Sequence, residues 1–191
     1  LLPAALFQAC FLGAVALYKP AANAVAIARY GASALPWLYL GAALLTAALA
    51  AWNAATPGRR MPPSRYAYLG AATCLACALA LELKAPLVAL AAYLFAEVFT
   101  TSTVISLWSA LADAFDARES RRAFTFLNGI GMVGAVGGGL GAQLMAARVG
   151  APPLFIAAAA LLSGAAVAWR FQAALEGPKG PARSKAAGAW G

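Results

Sequence analysis

Residues 128–143 read NGIGMVGAVGGGLGAQ, with seven glycines between Gly129 and Gly141. Gly129-Ile-Gly131-Met-Val-Gly134 matches the G-x-G-x-x-G pattern of a dinucleotide-binding loop. That pattern needs a strand before it, a helix after it and an acid about 20 residues further on. Here a charged stretch and Phe124-Thr-Phe-Leu127 precede it, and no Asp or Glu occurs between Glu119 and Glu176. The glycines are therefore read as the surface of a membrane helix. Gly134/Gly138 and Gly137/Gly141 are small-x-x-x-small pairs, and residues four apart share a helix face. A strip without side chains lets a neighbouring backbone come close, where packing replaces the hydrophobic force that lipid cannot supply. Gly131, Gly134, Gly137, Gly138 and Gly141 are the expected packing residues, on a helix able to bend.

The rest of the chain has the same character. Of its 191 residues 63% are hydrophobic and only 10% charged, against about 45–50% and 25% in soluble domains. Mean hydropathy is +0.77. Six apolar runs each approach the roughly 20 residues that cross a bilayer: about 1–18, 35–55, 66–83, 86–111, 123–147 and 153–171. Alanine dominates and no run alternates polar with apolar, so barrel strands are not expected. Helices, which satisfy their own backbone groups in lipid, remain. The expected fold is all-α, a polytopic bundle of six transmembrane helices, with 172–191 a Gly-, Pro- and Lys-rich cytoplasmic tail or linker.

The basic residues orient it. Arg59, Arg60, Arg65, Arg118, Arg121, Arg122, Arg170, Lys179, Arg183 and Lys185 follow the even-numbered runs, and Lys19, Arg29, Lys84 and Arg148 follow the odd ones. Ten cations against four, of fourteen, place both termini in the cytoplasm by the positive-inside rule. The net charge of +8 then faces an anionic leaflet rather than nucleic acid, since basic and aromatic residues are not interleaved. Trp37, Trp52, Trp108 and Trp169 fall near run ends, as interfacial aromatics do. The chain begins with Leu, apolar from the outset, without the basic segment and cleavage site of a signal peptide, and is expected to lack its natural start.

Chemistry-bearing residues are few. There is no His, and no Ser/His/Asp, Cys/His or H-E-x-x-H arrangement, so neither an enzyme nor a metal or other cofactor is expected. Cys74-Leu-Ala-Cys77 lies in an apolar run and reads as helix packing. Glu97 stands alone in the fourth run, in Tyr93-Leu-Phe-Ala-Glu-Val-Phe-Thr100. An ionisable group in a span costs about 2.5–3.5 kcal/mol on insertion scales and faces a cavity or a partner. Thr100 and Thr101, three and four residues on, share its face. Lys19-Pro20 is expected to end or kink the first helix, leaving Lys19, Asn23 and Arg29 just beyond it, with Lys19 at the outer mouth of a pathway or snorkelling to the interface. Gln8, Asn128 and Gln143 are further polar groups in or near spans, bonding across helices or lining a path. Asp113-Ala-Phe-Asp116-Ala-Arg118-Glu119-Ser-Arg121-Arg122 reads as a cytoplasmic loop whose ion pairs could latch one transporter state, or as a solvated loop.

Trp108-Ser-Ala-Leu-Ala-Asp113, then Arg118-Glu-Ser-Arg121-Arg122-Ala-Phe124, then the Gly-rich fifth run resemble a region of the bacterial and plastid ATP/ADP translocases and of their major facilitator relatives. Leu17-Tyr-Lys-Pro20 through Ala34-Leu-Pro-Trp37-Leu-Tyr-Leu40 resembles their first loop and the start of their second helix. The resemblance implies half of a twelve-helix fold in an inner membrane, with the substrate site between two six-helix halves. It implies an antiporter of nucleotides or another small organic anion, working by alternating access. It also places Glu97 where the family has an intramembrane acid important for transport. Lys19 stands where the family usually has Arg, and Ala22 where it has Lys, so a facilitator with a different anionic substrate fits equally well. The expected partners are the lipid bilayer and a second six-helix half, from a longer chain or a second copy. The competing reading is a membrane anchor that supports a partner or a cytoplasmic domain.

Overall fold

The computed structural model describes residues 2–55, 61–84, 87–114 and 117–176. They form six helices, with no strand among the described residues: α1 Leu2–Tyr30, α2 Leu35–Ala55, α3 Pro63–Glu82, α4 Val88–Ala114, α5 Ala117–Val149 and α6 Ala151–Glu176. All six are long and apolar enough to cross a bilayer, and the chain is an integral membrane protein of all-α class. Its outer surface agrees: Trp37, Leu44, Leu79, Val133 and Leu144 are each more than 60% exposed. So much exposed apolar surface matches acyl chains and not water.

The connections are short and chemically marked. Gly31, at φ 79°, closes α1 with its N–H on the Ile27 carbonyl 2.8 Å away, and a single 3-10 turn, Ala32–Ala34, leads into α2. Gly150, at φ 75°, alone separates α5 from α6. Positive φ costs glycine little, which is why helices end on it. Connections this short make successive helices antiparallel.

Helix α1 is the hub. It packs on α4, α5 and α6, while α3 packs on α6 and α4, and α2 packs on α4. Exchanging α1 with α4, α2 with α5 and α3 with α6 maps these neighbours onto one another; the α5–α6 contact is the exception. The neighbours of α1–α3 thus match those of α4–α6, with that one exception. Small residues permit the close approach: Ala4, Ala5, Ala14, Ala21 and Ala22 of α1 and Ala158, Ala159, Ala165 and Ala166 of α6 are buried in one core. Aromatic rings fill its middle. Phe95 and Phe99 of α4 stack with centroids 5.0 Å apart, Phe11 and Tyr18 of α1 approach Phe99, and Phe7 meets the edge of Trp169. The Phe99 ring lies where a side chain on Gly70 of α3 would sit.

Several expected boundaries move. The first helix does not stop at residue 18 but runs through Pro20 to Tyr30. Proline removes one backbone bond, yet Ala21, Ala22 and Ala26 beyond it are buried, and in lipid an unwound backbone has no water to turn to. The expected loop 113–122 is mostly helix, shared between the end of α4 and the start of α5; its Arg and Glu are good helix formers. Residues 172–176 continue α6, and the remainder of the expected tail, 177–191, lies outside the described residues. The sixth helix begins earlier than residue 153, with Pro152 and Pro153 in its first turn, where a missing N–H is harmless.

Candidate functional site

Position along the helices fixes the depth of the charged residues. With a rise of about 1.5 Å per residue, Glu97 lies about 4 Å from the centre of the apolar window Val88–Leu111. Lys19 lies about 4 Å from the centre of α1. Lys19 is therefore not at an outer mouth beyond the first helix, as expected from Pro20, but inside the helix at the same depth as Glu97. The two meet: Lys19 Nζ is 3.0 Å from Glu97 Oε2, with the lysine side chain 34% and the glutamate 16% exposed. Each charge answers the insertion cost of the other.

Around the pair is a polar seam between α1 and α4. Tyr18, fully buried, hydrogen-bonds Thr100 Oγ1 at 2.7 Å. Thr100 uses its one proton on the Ala96 carbonyl at 2.6 Å, so the Tyr18 hydroxyl is the donor to Thr100. Thr101 donates to the Glu97 carbonyl at 3.0 Å and is exposed. Of the expected polar lining, Thr100 thus faces α1, whereas Thr101 points outward. Asn23 sits one turn beyond Lys19 on α1, and its Oδ1 is buried without a hydrogen-bond partner. Glu97 Oε1 is buried and without a hydrogen-bond partner as well. Tyr93, four residues before Glu97, packs edge-on against Tyr39 of α2, with centroids 5.8 Å apart.

The glycines of α5 do not all face one way. A methyl on Gly134 would overlap the Ala9 backbone, and one on Gly138 the backbone of Gly13. At Gly131 it would lie 2.8 Å from Gln8 Cγ and from Leu12, and Gly141 is in ordinary contact with Leu17. These four form the line that receives α1. Gly137, expected on that line, has nothing within 4 Å. The pairing of Gly137 with Gly141 fails because Gly137 falls on the side of the helix rather than on its α1 face. Gln143 is exposed and lies on the face of α5 turned away from α1, so it does not join Lys19 and Glu97.

The expected cytoplasmic cluster is only partly placed. Asp113 is in the last turn of α4, and Arg118, Arg121 and Arg122 are in the first turns of α5; Arg122 is exposed, and Asp116 lies outside the described residues. Cys74 and Cys77 are free and buried in α3. Reasoning from sequence missed Tyr18 and Tyr93 as members of the seam. The available signal was spacing: Lys19 with Asn23, and Tyr93 with Glu97, are both four apart. The chain was compared with protein-family models, curated proteins and solved structures, and none of the three comparisons gave a match.

Proposed function

We propose that this protein is a membrane transporter of a small organic anion, nucleotides included, working by alternating access, and that Lys19 is the anion-binding residue. One observation carries the reading: a lysine and a glutamate, paired at the middle of the apolar span, are only partly satisfied. A pair kept for structure alone has its remaining lone pairs filled. Here Lys19 keeps a third of its side chain exposed and Glu97 Oε1 has no partner. An incoming carboxylate or phosphate can take the ammonium from Glu97, and the carboxylate can reclaim it when the anion leaves. The pair is thus a lock that substrate opens.

The matching neighbour pattern of the two sets of three helices supports the same reading. Inverted repeats of this kind are found within facilitator halves, whose substrate site lies near the midplane where halves meet. On this reading the exposed helices α2 and α5 flank the seam and face a second six-helix half, both termini lie in the cytoplasm, and the membrane is a bacterial inner membrane. The Arg-rich start of α5 and Asp113 act as the cytoplasmic latch, and the Gly131–Gly141 line lets α5 shift along α1.

The test is uptake of radiolabelled ADP, ATP, phosphate and succinate into liposomes containing the purified full-length protein. Accumulation of at least one of them above empty liposomes, with loss of the signal in Glu97→Gln that still inserts, is expected. No uptake of any anion by folded protein contradicts the reading, and leaves the anchor role as the account of the six helices.

A further inference from the structure

Where α3 ends and α6 begins, the two helices leave an open-sided groove of about 230 Å³. Leu75, Ala78 and Leu79 of α3 form one wall, and Pro152, Pro153 and Ile156 of α6 the other. Leu75, Leu79 and Ile156 are each more than half exposed, so the groove opens outward to the surrounding acyl chains. The first turn of a helix ordinarily offers free N–H groups to an anion. Here two of the first three residues of α6 are prolines, which have none. The walls thus suit an apolar chain and offer an anion little. A site that encloses a whole small molecule has roughly 300–1,000 Å³. This groove is smaller and fits part of a chain whose remainder lies in the bilayer.

The one charged residue lining the groove is Glu82, exposed in the last turn of α3. An acid is disfavoured there, because free carbonyls and the helix dipole already make a C-terminus negative. Among the described residues the one ion pair is Lys19–Glu97, so none of Arg29, Lys84 and Arg148 answers the Glu82 charge. Lys84, two residues on, is exposed and has φ 52°; among the described residues it alone, glycine aside, has a positive φ. Glycine is the usual residue at such a helix end. The lysine keeps a cation next to the acid at a conformational cost.

We infer that this groove binds a phospholipid with a primary ammonium headgroup, phosphatidylethanolamine, its ammonium on Glu82, its phosphate on Lys84 and part of an acyl chain between α3 and α6. The depth fits: Leu75 lies seven residues below Glu82, about 10 Å along the helix axis, so the charged end and the apolar end are ordered as in a lipid. The headgroup carries a cation and an anion two carbons apart, matching an acid and a base two residues apart. A primary ammonium brings three N–H donors to a carboxylate that only accepts, whereas the methylated nitrogen of choline brings none. A purely anionic headgroup meets Glu82 with like charge. In the orientation proposed above the site lies in the outer leaflet; the site itself does not depend on the transport reading.

The experiment incubates the full-length protein, purified in mild detergent, with phosphatidylethanolamine, phosphatidylcholine or phosphatidylglycerol of identical chains, and counts bound lipid by native mass spectrometry. One phosphatidylethanolamine per protein is expected, held roughly tenfold better than phosphatidylcholine, the scale of one charge-assisted hydrogen bond. Glu82→Gln is expected to abolish that preference. Leu79→Trp, which fills the groove, is expected to abolish retention. Equal retention of the three lipids, or a preference for phosphatidylglycerol, overturns the inference. So does a preference for phosphatidylethanolamine that both variants keep, or a stable lipid-free dimer in which a second copy covers the groove. The wild-type comparison decides the matter even if a variant does not fold. No flux is measured, so the transport reading stands or falls separately.

Discussion

A glutamate in the middle of an apolar helix needs a partner, and here the partner is a lysine on the neighbouring helix, 3.0 Å away. Removing either one leaves the other as an uncompensated charge, which costs about 3–5 kcal/mol where such pairs are buried. Lys19→Ala and Glu97→Ala should each destabilise the protein strongly, the glutamate variant by less than the upper figure because the lysine it leaves unpaired is a third exposed. The double variant should lose less than the sum, by a coupling of about 1–3 kcal/mol. Reversible unfolding in lipid bicelles measures this, and simple additivity would show that the two charges do not interact. Tyr18→Phe is a milder change. It removes the donor to Thr100, which keeps its bond to the Ala96 carbonyl, so a loss of about 0.5–1.5 kcal/mol is expected in the same assay. Glu97 was legible from sequence because a lone acid in an apolar run is conspicuous. Lys19 was misplaced because Pro20 beside it suggested the end of a helix. What kept the helix going, the burial of Ala21, Ala22 and Ala26 against other helices, is a property of packing that no local pattern displays.

Among the elements, α5 shows the difference between composition and direction. Seven glycines marked it as a packing helix, and counting in fours proposed the faces. The line that receives α1 contains Gly131, Gly134, Gly138 and Gly141, while Gly137 looks into open space. Position therefore predicts opposite signs for the same substitution. Gly134→Ala and Gly138→Ala drive a methyl into the backbone of α1 and should cost about 1–3 kcal/mol. Gly137→Ala should be neutral or stabilising by up to about 1 kcal/mol, since alanine favours the helix. Thermal unfolding in detergent, followed by size-exclusion with intrinsic fluorescence, separates the two outcomes. Equal effects at the three positions would mean that the glycine line does not seat α1.

At the scale of the whole molecule, six spans were readable because hydropathy over 20 residues outweighs local detail, and the structure has six such helices. Which helix sits at the centre was not readable. That follows from which faces are small: α1 is lined with buried alanines and can be surrounded by α4, α5 and α6. The proposed orientation makes its own prediction. With Cys10, Cys74 and Cys77 replaced by Ala, Arg65→Cys should react with an impermeant maleimide only from the cytoplasmic side, and Lys84→Cys only from the outside. Reversed labelling would invert the topology and leave the helix packing untouched.

The central claim is that the mid-membrane pair serves transport and not only cohesion. The most direct measurement is labelled anion uptake by liposomes containing the Lys19→Ala/Glu97→Ala double variant, in which no unpaired charge disturbs folding. The account predicts uptake below about a tenth of the wild-type rate, equivalent to more than about 1.4 kcal/mol of lost transition-state stabilisation. Uptake at the wild-type rate by that uncharged variant would contradict it.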